Sequence, residues 1–245
     1  MRKTFEALLR AEREKQGKSE QEKSEKISAA LPEECNFPSQ IAEEYRRLKY
    51  RIVNMDPERK IRTLLFVSPT GGEGNSTVLA HFATVLACEG DRVLLVDTNL
   101  RHPSIHEIFN LELKNGFSEF ILQKSPLEEV MKKTSFKNLQ VITSGNTHSD
   151  PFAVISLKSL DSCIAKLKLK ADWVLFDSPS IDTYNDAIAL ASRLDGVILV
   201  IQAEKTRWEV GMSARQRMEA SNARVLGVVL NKRRYYIPEW LYKRL

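Results

Sequence analysis

The chain has 245 residues, 42% of them apolar and 28% charged. That balance excludes a disordered chain, and the length is enough for one large α/β domain plus a small appendage. The net charge of +5 and a pI near 9.0 favour an anionic partner without choosing among nucleotide, acidic protein and membrane surface. Residues 1–37 are predicted as an N-terminal helix and a flexible linker. Phe5, Leu8 and Leu9 fall at helical spacing. A docking helix and a frayed helical tail fit that spacing equally, and the Glu/Lys/Gln/Ser-rich run after it reads as linker. The main domain is placed at 38–234. It opens with a helix N-capped by Ser39, in which Ile41, Tyr45, Leu48 and Ile52 make an apolar stripe. Arg46, Arg47, Lys49 and Arg51 lie mostly off that stripe, as on a solvated basic face.

The apolar run Leu64-Leu65-Phe66-Val67 reads as a buried strand, and the run from Val78 to Ala87 as a helix. Between them lies Ser68-Pro69-Thr70-Gly71-Gly72-Glu73-Gly74-Asn75-Ser76-Thr77. Strand, glycine-rich turn and helix form a phosphate cradle, because glycines let backbone N–H groups turn towards an anion and the helix N-terminus adds its dipole. Such loops ordinarily end Gly-Lys-Ser/Thr, whereas this one ends Gly74-Asn75-Ser76. Strands and helices then alternate. Strands are predicted at 92–96, 139–142, 173–176, 196–202 and 224–230. Helices are predicted after Pro103 and at 117–122, 126–133, 152–169, 184–192 and 207–220. Near-continuous apolar strands imply a mostly parallel sheet with helices on both faces, a P-loop NTPase-like α/β fold. The loop at 68–77, Asp97, Asp177 and Asn231 all follow strand ends, so they share the edge where such sheets bind ligands.

Residues 235–245 form a tail carrying Tyr235, Tyr236 and Tyr242. A helix opened by Pro238 and docked on the core is the bland expectation for it. The three cysteines, Cys35, Cys88 and Cys163, have no metal-ligand spacing and point to a reducing, cytosolic setting. The apolar runs fall well short of the roughly 20 residues that cross a bilayer, and the N-terminus has no apolar signal-peptide core.

Phosphoryl transfer needs cradled phosphates, a metal held by a hydroxyl and a carboxylate, neutralised charge and a positioned nucleophile. Ser76 stands where the metal-binding hydroxyl belongs, and Thr77 can bond a phosphate. Asp177 can hold Mg²⁺ directly or through water, and Asp97 is a second candidate for the metal shell. Asn75 offers a neutral, shorter donor in place of an ammonium. Losing one such electrostatic donor costs on the order of 3–4 kcal/mol in the transition state.

From about Ile41 to Leu230 the chain resembles the cytoplasmic kinase domain of bacterial tyrosine autokinases of capsule and exopolysaccharide synthesis, P-loop proteins related to the MinD/ParA ATPases. The loop Ser68–Thr77 is similar to that family's Walker A, with Asn75 at the lysine position. Leu94-Leu95-Val96-Asp97-Thr98-Asn99-Leu100-Arg101 resembles its Asp-x-Asp-x-Arg motif, with Asn99 at the second aspartate. Val174-Leu175-Phe176-Asp177-Ser178-Pro179 resembles Walker B. Asp150-Pro151, the leader Phe5-Glu6-Ala7-Leu8-Leu9-Arg10-Ala11, and Val228-Val229-Leu230-Asn231, whose asparagine faces adenine in related ATPases, extend the likeness.

The resemblance implies ATP or ADP with Mg²⁺ at Gly71, Gly72, Glu73, Gly74, Asn75, Ser76, Thr77 and Asn231. The metal would be at Ser76, Asp97 and Asp177, and the catalytic groups would be Asp97, Arg101 and Asp177. It makes Tyr235, Tyr236 and Tyr242 candidate phosphoacceptors. Glu43, Arg46 and Lys49, on the helix at 40–53, become homo- or hetero-oligomer contacts. The implied partner is a membrane polysaccharide co-polymerase that regulates chain length, holding the protein peripherally at the inner face of the membrane. No nucleic acid is expected. The two asparagines depart from the family pattern and imply a degenerate, pseudokinase-like member with weak or lost activity. The alternative is an active autokinase with Arg101 or Lys232 as substitute cation. A ParA/MinD-like positioning ATPase fits less well, since Thr70 stands where that class has its signature lysine.

Overall fold

The computed structural model describes residues 35, 37–58, 60–146, 151–155 and 158–233. The leader, Asp150 and the tail tyrosines Tyr235, Tyr236 and Tyr242 lie outside them. Among the described residues, sixteen elements follow one another: α1 (Ser39–Met55), β1 (Thr63–Val67), α2 (Asn75–Cys88), β2 (Val93–Asp97), α3 (Ile105–Ile108), α4 (Phe117–Ile121), α5 (Leu127–Val130), β3 (Lys132–Lys133), β4 (Leu139–Ile142), α6 (Pro151–Ile155), α7 (Leu160–Lys170), β5 (Trp173–Asp177), α8 (Asp186–Ala191), β6 (Gly196–Gln202), α9 (Trp208–Ala220) and β7 (Val225–Asn231).

The strands make a seven-stranded sheet in the order β3-β4-β2-β5-β1-β6-β7. Every pairing is parallel except β3 with β4. This is the expected P-loop NTPase-like α/β architecture. β1, β2 and β5 are buried along their whole length, as parallel strands covered on both faces must be. Alternate residues of β1 serve opposite cores. Leu65 and Val67 pack with α4, α7, α8 and α9, while Leu64 and Phe66 pack with α1 and α2.

Four sequence expectations change. The helix predicted over 152–169 is two helices, α6 and α7. Ser159 restarts the second: its carbonyl accepts the Cys163 N–H, and its hydroxyl donates to the Ile121 carbonyl 3.2 Å away. The helix predicted over 126–133 stops at Val130, because Lys132 and Lys133 pair antiparallel with β4. In α1, Pro38 takes the cap position and Ser39 is the first helical residue. Ile41 faces solvent while Ala42 is buried, so the buried stripe begins one residue later than the spacing predicts.

The cysteines supply a further change. Cys35 and Cys88 form a disulfide with Cα atoms 5.6 Å apart, and Cys163 is a buried free thiol. A sequence separation of 53 conceals the pair, which meets only because α1 folds back against α2. The cysteine pattern therefore carries no statement about a reducing setting. Among the described residues, no helix is long and apolar enough to cross a membrane.

Candidate phosphate-binding site

β1 delivers the chain into the glycine-rich loop, and α2 carries it away. Gly72 and Gly74 adopt left-handed backbone, with φ of 79° and 88°. At Gly74 a side chain is also excluded by space, since a Cβ there would meet Asn231 Nδ2 at 2.4 Å. Gly74 caps α2, and its carbonyl accepts the first helical bond from Val78. Helix geometry leaves the N–H groups of Asn75, Ser76 and Thr77 without intrahelical partners, an array suited to an anion.

The side chains around this cradle bond to one another. Ser76 Oγ donates to Asp177 Oδ2 at 2.7 Å. Asn75 Nδ2 donates to Asp177 Oδ1 at 2.7 Å and to the Phe66 carbonyl at 2.9 Å. Asn75 Oδ1 is buried with no hydrogen-bond partner. Both neighbours of Nδ2 accept, which fixes the orientation of the carboxamide. Asp177 and Asp97 are register partners on β5 and β2, and neither is solvent-exposed. Burial pushes the Asp177 carboxyl up to about 7, against the hydrogen bonds from Ser76 and Asn75 that pull it down. Burial, and then the Asp177 charge, push Asp97 well above the usual carboxylate range.

The family model for the AAA domain (AAA_31) matches residues 61–214. Tyrosine-protein kinase YwqD of Bacillus subtilis (strain 168) is 33% identical over 190 residues, which cover 78% of this chain and 80% of that protein. The chain belongs to the bacterial tyrosine-protein kinase family. Among solved structures, the chimerical protein CapA2B2 has a TM-score of 0.75 at 27% identity, covering 79% of this chain and 85% of that one. The septum site-determining protein MinD of Pyrococcus horikoshii OT3, complexed with Mg-ADP, shares the fold. Its TM-score is 0.62 at 23% identity, over 75% of this chain and 76% of that one.

Within this tyrosine-kinase scaffold, Ser76 Oγ and Asp177 Oδ2 present a hydroxyl and a carboxylate oxygen side by side. Such hard donors fit Mg²⁺, and the free amides of α2 fit the phosphates it would accompany. Asp97 is differently engaged. Its Oδ1 accepts from the Asn99 N–H at 3.0 Å, and its Oδ2 accepts from Ser104 and Ile105 at 3.3 and 3.2 Å. It thus caps the turn that leads into α3. Asn99 Oδ1 accepts from the His102 N–H at 3.1 Å, a local bond within the same turn.

Arg101 is held by a different partner. Its guanidinium pairs with the buried Asp186 at 2.7 Å and lies 4.0 Å over the Tyr184 ring. Glu73 also turns inward. Its carboxylate accepts from Thr70 Oγ1 at 3.0 Å and from Thr206 Oγ1, which ties the loop to the start of α9. Asn231 Nδ2 donates to the Glu73 carbonyl at 2.8 Å, and Lys232 Nζ to the Gly72 carbonyl at 2.8 Å. Sequence reading missed Thr206, Tyr184 and Asp186, which sit outside every motif and reach the site only through the fold.

On α1, Arg46 and Lys49 reach back to Glu89 at 2.9 and 2.8 Å, and Lys49 also reaches Asp91 at 2.6 Å. Glu43 stays on its own helix, 3.4 Å from Arg47. Asn75, Ser76, Asp97, Asp177, Asn231 and Lys232 therefore gather on the expected edge, while Glu43, Arg46 and Lys49 lie on the face formed by α1 and the end of α2.

Proposed function

We propose that this chain binds ATP or ADP with Mg²⁺ and transfers phosphate weakly or not at all, a pseudokinase-like member of its family. The observation that carries the reading is the engagement of Asn75. Its one donor group serves Asp177 and the Phe66 carbonyl, so the residue at the lysine position offers no charge and no free donor to a phosphate. MinD, which shares the fold, is complexed with Mg-ADP, and here Ser76, Asp177 and the α2 amides offer donors that suit Mg²⁺ and phosphate. Binding through these groups survives the loss of a lysine better than transfer does, because charge develops chiefly in the transition state.

The family resemblance supports a role in capsule or exopolysaccharide production. It would act there at the inner face of the membrane by assembling with a polysaccharide co-polymerase, with Glu43, Arg46 and Lys49 of α1 at subunit contacts. Incubation of the purified chain with Mg-ATP, followed by phosphotyrosine mapping, tests the reading. No more than trace label is expected on Tyr235, Tyr236 and Tyr242. Stoichiometric label on any of them would show a competent kinase and overturn it.

A further inference from the structure

We propose that Lys232 is the phosphate-binding cation of this site, taking over from outside the loop the charge that Asn75 lacks; the proposal rests on the reading that the cradle binds a nucleoside diphosphate or triphosphate. Three cationic candidates face the edge by sequence: the residue at position 75, Arg101 and Lys232. The first is neutral. Arg101 is held by Asp186 and stacked on Tyr184. Of the two cations, Lys232 alone is shown bonded to the glycine-rich loop. Its Nζ donates to the Gly72 carbonyl at 2.8 Å, and its Cε lies 3.6 Å from where a Cβ on Gly74 would stand. The lysine stem thus runs across the residue that caps α2.

The position is built. Lys232 adopts left-handed backbone, φ 56°, which few residues with a side chain take without local support. Asn231 provides that support. Its Oδ1 accepts the Lys232 N–H at 2.8 Å while its Nδ2 holds the Glu73 carbonyl at 2.8 Å. One carboxamide therefore fixes both the loop and the turn that directs the lysine at it. Gly74 leaves the space for this approach, since any side chain there would collide with Asn231.

The ammonium is also available. It is exposed, and among the described residues it forms no ion pair. One carbonyl uses one of its three N–H donors. A carbonyl is a weak acceptor beside a phosphate oxygen, so exchange from Gly72 to a bound phosphate replaces a neutral acceptor by a charged one. The need is electrostatic. Apart from Lys232, the ionisable side chains lining the cradle are Glu73, Asp97 and Asp177, all acidic and all buried. A polyphosphate added to that acidic set binds better with a cation besides Mg²⁺.

The test is calorimetric titration with Mg-ADP of five chains: the parent, Lys232→Gln, Lys232→Arg, Asn75→Lys, and Lys232→Gln combined with Asn75→Lys. Glutamine keeps an N–H donor and removes the charge, on a side chain one atom shorter. Lys232→Gln is expected to weaken Mg-ADP at least tenfold in the parent and less than threefold when Lys occupies position 75, with Lys232→Arg retaining most of the affinity. Adenosine, which has no phosphate, is expected to bind the parent and Lys232→Gln alike. An equal loss in both backgrounds would mark Lys232 as a brace of the loop and overturn the proposal, as would no loss at all. A parent chain that does not bind Mg-ADP overturns it too. In that event, binding gained by Asn75→Lys leaves the degenerate cradle standing, and no binding by either chain sinks both readings.

Discussion

Asn75 Nδ2 and Asp177 Oδ1 lie 2.7 Å apart in the closed interior beneath the glycine-rich loop. The pair joins the residue at the lysine position to the carboxylate that ends β5, and it is neutral on one side. An ammonium there would hold Asp177 ionised. A carboxamide does so only weakly, which leaves burial to dominate and the carboxyl at about 7.

That relationship sets a pH dependence. The folded Asp177 carboxyl is raised above its unfolded value, so the native state holds a proton that the unfolded chain releases near pH 4. Stability from this group is full below the unfolded pKa and is lost as pH rises from about 4 to about 7. In metal-free buffer, Asp177→Asn is expected to flatten that decline and to be more stable than the parent at neutral pH by about 2–4 kcal/mol. Asp172 and Asp195 carry lowered carboxyls with the opposite slope, so the difference between the two chains across the pH range is the quantity to measure. Chemical denaturation at half-unit pH intervals provides it. Parallel curves for the two chains would contradict the assignment.

Thr206 is expected to matter through Glu73. The glutamate is 2% exposed, and the hydroxyls of Thr70 and Thr206 are its side-chain donors. Thr206→Val keeps the shape and removes one donor from a buried carboxylate, at a cost of about 1–3 kcal/mol. Amide exchange over the loop should accelerate and Mg-ADP affinity should fall, while Thr206→Ser should restore both. Unchanged exchange at Glu73 and Gly74 would show that the Thr206 contact does not hold the loop.

The fold was legible because its signals are local. Apolar runs such as Leu64–Val67 and Val197–Ile201 read as strands of a covered sheet, and each ends at a polar residue on the same edge. The glycine-rich loop is equally local, and its left-handed Gly72 and Gly74 follow from the sequence chemistry. What escaped depends on distant chain segments meeting. Glu73 reads as a loop residue, yet its carboxylate is claimed by Thr206 from across the sheet edge. Asp97 and Asp177 read as equivalent strand-end acids, yet three backbone amides of the following turn take up Asp97 alone. Arg101 reads as a free cation until Asp186 and Tyr184, absent from any motif, close on it. The disulfide is the extreme case, since nothing near Cys35 in sequence points to Cys88.

That disulfide predicts a response to reductant. Closing a loop across a separation of 53 residues restricts the unfolded chain and stabilises the native one by up to about 4 kcal/mol in the chain-entropy account. The midpoint of thermal unfolding should fall by several degrees in dithiothreitol. Cys88→Ser should show the lower midpoint with or without reductant, and Cys163→Ser should respond as the parent does. A parent midpoint insensitive to reductant, with an intact mass showing two free thiols at Cys35 and Cys88, would remove the bridge from the account.

Restoration of catalysis should need two changes of unequal effect. Asn75→Lys returns a charge that neutralises phosphate and lowers Asp177, so it is expected to carry most of the gain in nucleotide binding. It leaves the nucleophile side unrepaired, because Asn99 cannot act as a base and its Oδ1 already accepts the His102 N–H. Asn99→Asp keeps that acceptor and adds a carboxylate beside Asp97. By itself it places one more negative charge near buried acids with no new cation, so it should yield no measurable transfer. The double variant is expected to label the tail tyrosines about 10²–10³-fold faster than the parent. Quantitative phosphotyrosine mapping over time, at saturating Mg-ATP, orders the four chains. Transfer restored by Asn99→Asp alone would mean that charge at position 75 is not what limits this site, and the role assigned to the Asn75–Asp177 pair would fall with it.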